Sequence, residues 1–308
     1  MNIMVIFMQM IQLFLIMALG YFLYHIHILD TNFNKKLTTF VLNVTTPAMI
    51  LASVFSGEVA YSKSDILFTF VIAIIIYMLL PFVGYVIAKI LRVKKEVMGI
   101  YIFMVVFANV GFMGFPVTKA IFGDASVFLT AIFVMLFNIM LYSVGRMIMS
   151  FGDGEKVTLS YKNFLTPGII ASLLAVVFYF TNFPMPSVLV NTFVMIGDMT
   201  TPLAMLIIGA TLATIPIKEV FNEKKIYVFT FVKQIVFPIV VYPLLSMFIQ
   251  NSLILGVTLI SLSMPVGNSV VLFATEYNKD TTLGAKAIFM TTLLSVFTIP
   301  LIVALFFS

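Results

Sequence analysis

Two ionisable residues stand well inside long apolar runs, Asp198 about ten residues in, roughly 15 Å at helical rise, and Lys233 about eight. Two other runs are interrupted by Asn, Gly and Pro: Asn109-Val110-Gly111-Phe112-Met113-Gly114-Phe115-Pro116 and Met264-Pro265-Val266-Gly267-Asn268-Ser269. The chemistry open to such residues is binding. A broken helix frees backbone groups, and the N-terminus of a half-helix carries partial positive charge suited to a carboxylate or another anion. Single glycines also serve as packing notches, but interruptions in two runs together point to a ligand. The candidate binding residues are therefore Asn109, Gly111, Pro116, Pro265, Gly267, Asn268 and Ser269. Asp198 reads as a proton acceptor or cation ligand, or else as a cap for the half-helix begun by Pro202 or a neutral acid bonded to Thr201. Lys233 either snorkels to the headgroups, supplies positive charge to an anion, or pairs with Asp198.

Other chemistries are excluded by the inventory. There is no cysteine, and the two histidines, His25 and His27, sit at one span end, so disulfides, thiolate centres, zinc sites and a Ser-His pair have no material. Gly197-Asp198 superficially resembles the motif of intramembrane aspartyl proteases, but no second mid-span carboxylate exists to share a proton. No Gly-x-x-x-x-Gly-Lys-Ser/Thr loop is present for a nucleotide, and no charged ring or filter motif suggests a channel. No cofactor or metal is expected. Lys119, Glu276 and Lys286 lie near span ends, where interfacial solvation accounts for them, and Tyr101, Tyr142 and Tyr277 read as an interfacial belt.

The elements that position these residues are membrane helices. Of 308 residues 62% are apolar and 9% charged, too few charges to cover a soluble globule, and mean hydropathy is +1.17. Apolar runs fall at 3–24, 36–56, 65–90, 97–122, 126–148, 164–182, 188–215, 225–249, 253–276 and 283–307, predicting ten spans, with residues 1–18 in the first span rather than a signal peptide. The segment 66–80 lacks the alternation of a β-barrel strand. Fourteen of the 17 Lys and Arg fall in odd-numbered connections, only Lys63 and Lys119 in even ones, and Lys233 in a span. Cytoplasmic loops carry the excess of cations, so both termini are expected outside the cell, with the basic pI reflecting anionic lipid rather than nucleic acid.

The halves repeat. Asn43-Val44-Thr45-Thr46-Pro47 in the second span matches Asp198-Met199-Thr200-Thr201-Pro202 in the seventh at an offset of 155. Five spans per half is an odd number, so the second copy, 151–308, is expected to cross in the opposite sense to the first, 1–150. The breaks at Asn43, Thr45, Thr46 and Pro47 and at Thr200, Thr201 and Pro202 then correspond, as do the interruptions of spans four and nine.

These motifs, with Thr-Pro-Leu-Ala-Met-Leu-Ile-Ile-Gly around 201–209, resemble the auxin efflux carrier family over essentially the whole chain. That family includes plant PIN carriers and bacterial malate- or malonate-type permeases, and shares its fold with bile acid sodium symporters. The resemblance implies an all-α membrane protein of ten helices in a 5+5 inverted repeat, with helices four and nine crossing at their breaks beside a scaffold of spans 1, 2, 6 and 7. It also implies elevator-like movement of a small organic anion across the plasma membrane, a dimer, and Asn109, Pro116, Pro265 and Asn268 around the substrate carboxylate. Two features depart from it. The stretch 149–163 is too short for the regulatory loop of plant members. The segment 264–272 lacks the acidic residue of the sodium-coupled relatives, so proton coupling or uniport is favoured, with sodium symport or a channel as alternatives.

Overall fold

Proline accompanies several of the interruptions in these helices, although Pro81, Pro243 and Pro300 sit inside continuous ones. It has no N–H to give, and its ring clashes with the carbonyl four residues earlier, which favours a wider or open turn before it. In the computed structural model, which describes residues 3–55, 62–150, 165–215 and 220–307, that rule recurs. Five-residue π turns at Val41–Thr45, Val110–Gly114 and Val232–Val236 are followed two residues on by Pro47, Pro116 and Pro238. Pro202 has the same effect on its own helix, which is interrupted at Met199, between Asp198 and Thr200.

The described residues are helical throughout apart from turns and one isolated pair of extended residues. In chain order the helices are α1 (Ile3–His25), α2 (Thr31–Phe55), α3 (Lys63–Ile90), α4 (Lys95–Val106), α5 (Val110–Phe122), α6 (Ala125–Met149) and α7 (Pro167–Thr181). They continue with α8 (Ser187–Ala213), α9 (Lys224–Phe248), α10 (Ser252–Ser263), α11 (Ser269–Glu276) and α12 (Thr281–Phe306). Seven of them, α1, α2, α3, α6, α8, α9 and α12, are long and apolar enough to cross a membrane. The other three expected spans differ for physical reasons. Run 97–122 is split into α4 and α5, run 253–276 into α10 and α11, and run 164–182 yields only the 15 residues of α7. Lys156, Lys162 and Lys218, used in the orientation argument, lie outside the described residues, as does most of the stretch 149–163.

The broken helices occupy the centre. Every residue from Met98 to Val106 of α4 and from Ile254 to Ser263 of α10 is buried. The helices around them turn large apolar side chains outward, among them Met78 and Phe82 of α3 and Met247 and Phe248 of α9, as a lipid-facing surface does. On one flank α1 packs along α8, and α2 packs against both α7 and α8. The first of these contacts is backbone to backbone: a Cβ on Gly209 would lie 1.9 Å from the carbonyl oxygen of Met17, and one on Gly20 would lie 2.3 Å from that of Leu206. Small residues allow helices to approach this closely where lipid gives no hydrophobic drive to association. Tyr101 is not in an interfacial belt; it is buried in α4 with its ring edge-on to Phe229 of α9 at 5.4 Å.

Candidate functional site: the crossing of two broken helices

Helix α4 ends as Phe107 leaves helical dihedrals (φ −105°, ψ 69°). Helix α10 ends because Met264 precedes Pro265 and is driven extended (φ −59°, ψ 146°). The two extended stretches run antiparallel past each other, Ala108 opposite Val266. The Asn109 N–H donates to the Pro265 carbonyl at 2.8 Å, and the Gly267 N–H donates to the Phe107 carbonyl at 3.2 Å. Each break thus supplies the acceptor for the other's freed donor, which is how irregular backbone survives away from water. The approach requires glycine at 267, where a Cβ would stand 2.9 Å from the Phe107 oxygen.

Most of the expected binding residues gather here, with distinct duties. Asn109 is buried, and its side-chain oxygen accepts from the Phe112 N–H at 3.3 Å, capping α5. Asn268 holds the equivalent cap position of α11 but makes no capping bond with its side chain, leaving the amide free of that duty. The buried hydroxyl oxygen of Ser269 has no hydrogen-bond partner. Gly111 faces open space, since a Cβ there meets nothing within 4 Å.

Lys233 also belongs to the crossing. It is 1% exposed, and its ammonium donates to the Met264 carbonyl oxygen at 2.5 Å, so it neither snorkels to the headgroups nor pairs with Asp198. Its neighbour Gln234 donates through Nε2 to the Thr291 carbonyl of α12 at 2.8 Å, and the Thr291 hydroxyl oxygen accepts from the Val266 N–H at 3.0 Å. Helices α9 and α12 therefore hold the second break from both sides.

A second group lies apart from the crossing. Asp198 is exposed rather than buried, and its carboxylate pairs with Lys119 of α5 at 3.0 Å. Lys119 also pairs with Asp124 at 2.9 Å, so its role is not interfacial solvation alone. The Lys119–Asp198 pair borders an open recess of about 440 Å³ lined by Gln9, Gln12, Pro116, Thr201 and Pro202. Pro116 and Pro202 therefore meet the recess, not the crossing. Thr45, Thr46 and Thr200 are buried, the Thr45 hydroxyl bonding back to the Val41 carbonyl at 3.4 Å and the Thr200 hydroxyl unpartnered. Asn43 is exposed and Pro47 half-buried, and neither lines the recess. Sequence reasoning missed Lys119, Asp124, Gln9, Gln12, Gln234 and Thr291. Polar Gln9 and Gln12 one helical turn apart in an apolar run are the signal that marks the recess, and Gln234 beside Lys233 marks the crossing.

Residues 5–303 match the model of a family described as membrane transport protein. The chain belongs to this family. It is the auxin efflux carrier family that the motifs resemble. An uncharacterized transporter of Methanocaldococcus jannaschii is 29% identical over 307 residues, 96% of this chain and 97% of that protein. An uncharacterized transporter of Methanothermobacter thermautotrophicus is 24% identical over 293 residues, 94% of this chain and 95% of that one. The chain is thus a multi-pass membrane transport protein and not an enzyme.

Proposed function

We propose that the protein is a secondary transporter that carries a small organic anion, a mono- or dicarboxylate, across the plasma membrane. The observation that carries this reading is the reciprocal crossing, in which Asn109 donates to Pro265 and Gly267 donates to Phe107. Exchanging 107 with 265 and 109 with 267 leaves that pattern unchanged, as a two-fold relation between the halves requires. This favours ten crossings arranged as an inverted repeat of 1–150 and 151–308, and the Lys and Arg bias of the connections supports both termini outside. Inverted repeats with broken helices at matching positions bind solute where the breaks meet.

In this reading α1, α2, α7 and α8 form a scaffold that also serves dimer formation, and the helices carrying the crossing move against it like an elevator. The Lys119–Asp198 pair joins α5 to α8 across that boundary and is made and broken in each cycle. Coupling is to protons, or transport is uniport, because residues 264–272 offer no carboxylate to a sodium ion.

The test is uptake of labelled malate, malonate and an indole carboxylate into proteoliposomes, under an inward proton gradient or an equal sodium gradient. Saturable, proton-driven uptake of one of them is expected. Uptake of none under either gradient overturns the organic-anion assignment, and uptake driven by sodium alone overturns the coupling.

A further inference from the structure

The carbonyl of Met264, the residue at which α10 stops, accepts from the side-chain nitrogen of Lys233. A freed carbonyl at a helix break inside a membrane bundle is the usual ligand of a hard metal cation, sodium above all. Here a protein side chain stands in that place, delivered by the π turn Val232–Val236 of α9. An ammonium has three donors, and the Met264 carbonyl takes one of them. Among the described residues no carboxylate forms an ion pair with Lys233. The second break therefore holds a buried amino group that has one carbonyl acceptor and no carboxylate partner among the described residues, so an anion arriving there would favour its charged form.

We propose that Lys233 is a tethered cation at the second break. It organises the crossing in place of a bound metal ion, and its surplus positive charge selects anionic over neutral solutes. The first role stands on the geometry alone; the second rests on the organic-anion reading. Lys233 acts on solute as a positioning and selectivity residue, while Thr291 of α12, itself held by Gln234, anchors the opposite side of the break through the Val266 N–H.

The experiment measures heat stability of the purified protein, read by the fraction surviving as a monodisperse species on size exclusion, because the chain has no tryptophan or cysteine to report unfolding. Wild type is expected to be equally stable in sodium, potassium and choline chloride. Lys233→Ala is expected to lose stability and to recover part of it with methylammonium or sodium chloride, but not with choline, which is too large for the space left. Lys233→Met, which keeps the volume without the charge, is expected to remain below wild type. Sodium-dependent stability in the wild type, wild-type stability in Lys233→Met, or failure of every cation to help Lys233→Ala would overturn the tethered-cation role.

A second arm adds malonate. Wild type and Lys233→Arg are expected to be stabilised, while Lys233→Met needs at least about tenfold more malonate for the same shift. Equal malonate dependence in wild type and Lys233→Met overturns the selectivity role. No response of wild type to malonate, malate or an indole carboxylate overturns the organic-anion reading and the selectivity role with it, and the cation arm still decides the first role.

Discussion

The two breaks read alike in the sequence and are held together in opposite ways. The first, at 107–109, is self-sufficient: Asn109 caps the following helix with its own side chain, and among the described residues its outside partners are the backbone groups of the second break. The helix beside it, α3, contributes the buried Tyr77, which lines a narrow cavity with Val105 and Ala108. The second break, at 264–268, leans on its neighbours: Lys233 of α9 and Thr291 of α12 take up its freed groups, Gln234 of α9 donates to the Thr291 carbonyl, and Asn268 makes no cap. A break satisfied from within has its polar groups already committed. A break satisfied by neighbours keeps an Asn268 side chain that makes no cap and a buried unpartnered hydroxyl at Ser269, the groups that the proposed solute site would use.

The largest effect is expected where the breaks touch. Gly267→Val places a branched side chain against the Phe107 carbonyl, where even a Cβ would lie 2.9 Å away, and backbone cannot yield as a side-chain tip does. Both hydrogen bonds of the crossing are then lost. Uptake in proteoliposomes is expected to fall to background in protein that still inserts, whereas Gly111→Ala, at a position facing open space, should retain most of it. Equal activity in the two would mean that the breaks need not touch.

Thr291→Val should come next. The valine keeps the shape but removes the acceptor for the Val266 N–H, leaving a buried donor unsatisfied at a cost of about 1–3 kcal/mol. A lowered melting midpoint in detergent checks this. Asn109→Ala removes a cap and is expected to cost about 1 kcal/mol. Asn268→Ala removes no cap, so it should leave the melting midpoint unchanged while raising the KM for the transported anion. If Asn268→Ala destabilises as much as Asn109→Ala, the two breaks are alike in duty as well as in appearance.

Why the breaks were visible in advance and their division of labour was not follows from the range of the forces involved. Proline acts four residues back along its own helix, so Pro47, Pro116, Pro202 and Pro238 coincide with the interruptions near Asn43, Phe112, Asp198 and Gln234, whereas Pro81, Pro243 and Pro300 leave their helices continuous. The depth of Lys233 was legible too, but its partner was not, because Met264 is 31 residues away on another helix. Lys119 looked interfacial since its partner Asp198 lies 79 residues off, and Asp198 looked buried because an apolar run does not say which helix face meets a recess. The run 164–182 promised a full span, yet it forms a helix only from Pro167 to Thr181. Tyr101 was misplaced for a related reason: closeness to a span end suggests an interface only for a helix at the perimeter, and α4 is central.

The smallest effect on stability is expected at the recess, outside both breaks. Lys119 and Asp198 are partly exposed, and such pairs contribute about 0–1 kcal/mol. Asp198→Asn should cost even less than that range suggests, because Lys119 keeps Asp124 at 2.9 Å. Transport rate is the more telling readout. If α5 moves past α8 during each cycle, the ion pair stabilises one position, and removing it should change the uptake rate about two- to fivefold with the melting midpoint unmoved. The absence of native cysteine allows a direct check: with Lys119→Cys and Asp198→Cys combined, an oxidised cross-link should stop uptake and a reductant should restore it. Full uptake by the cross-linked protein would show that α5 and α8 stay together, and would place any movement of the crossing within the helices α9 to α12 that hold its charged side.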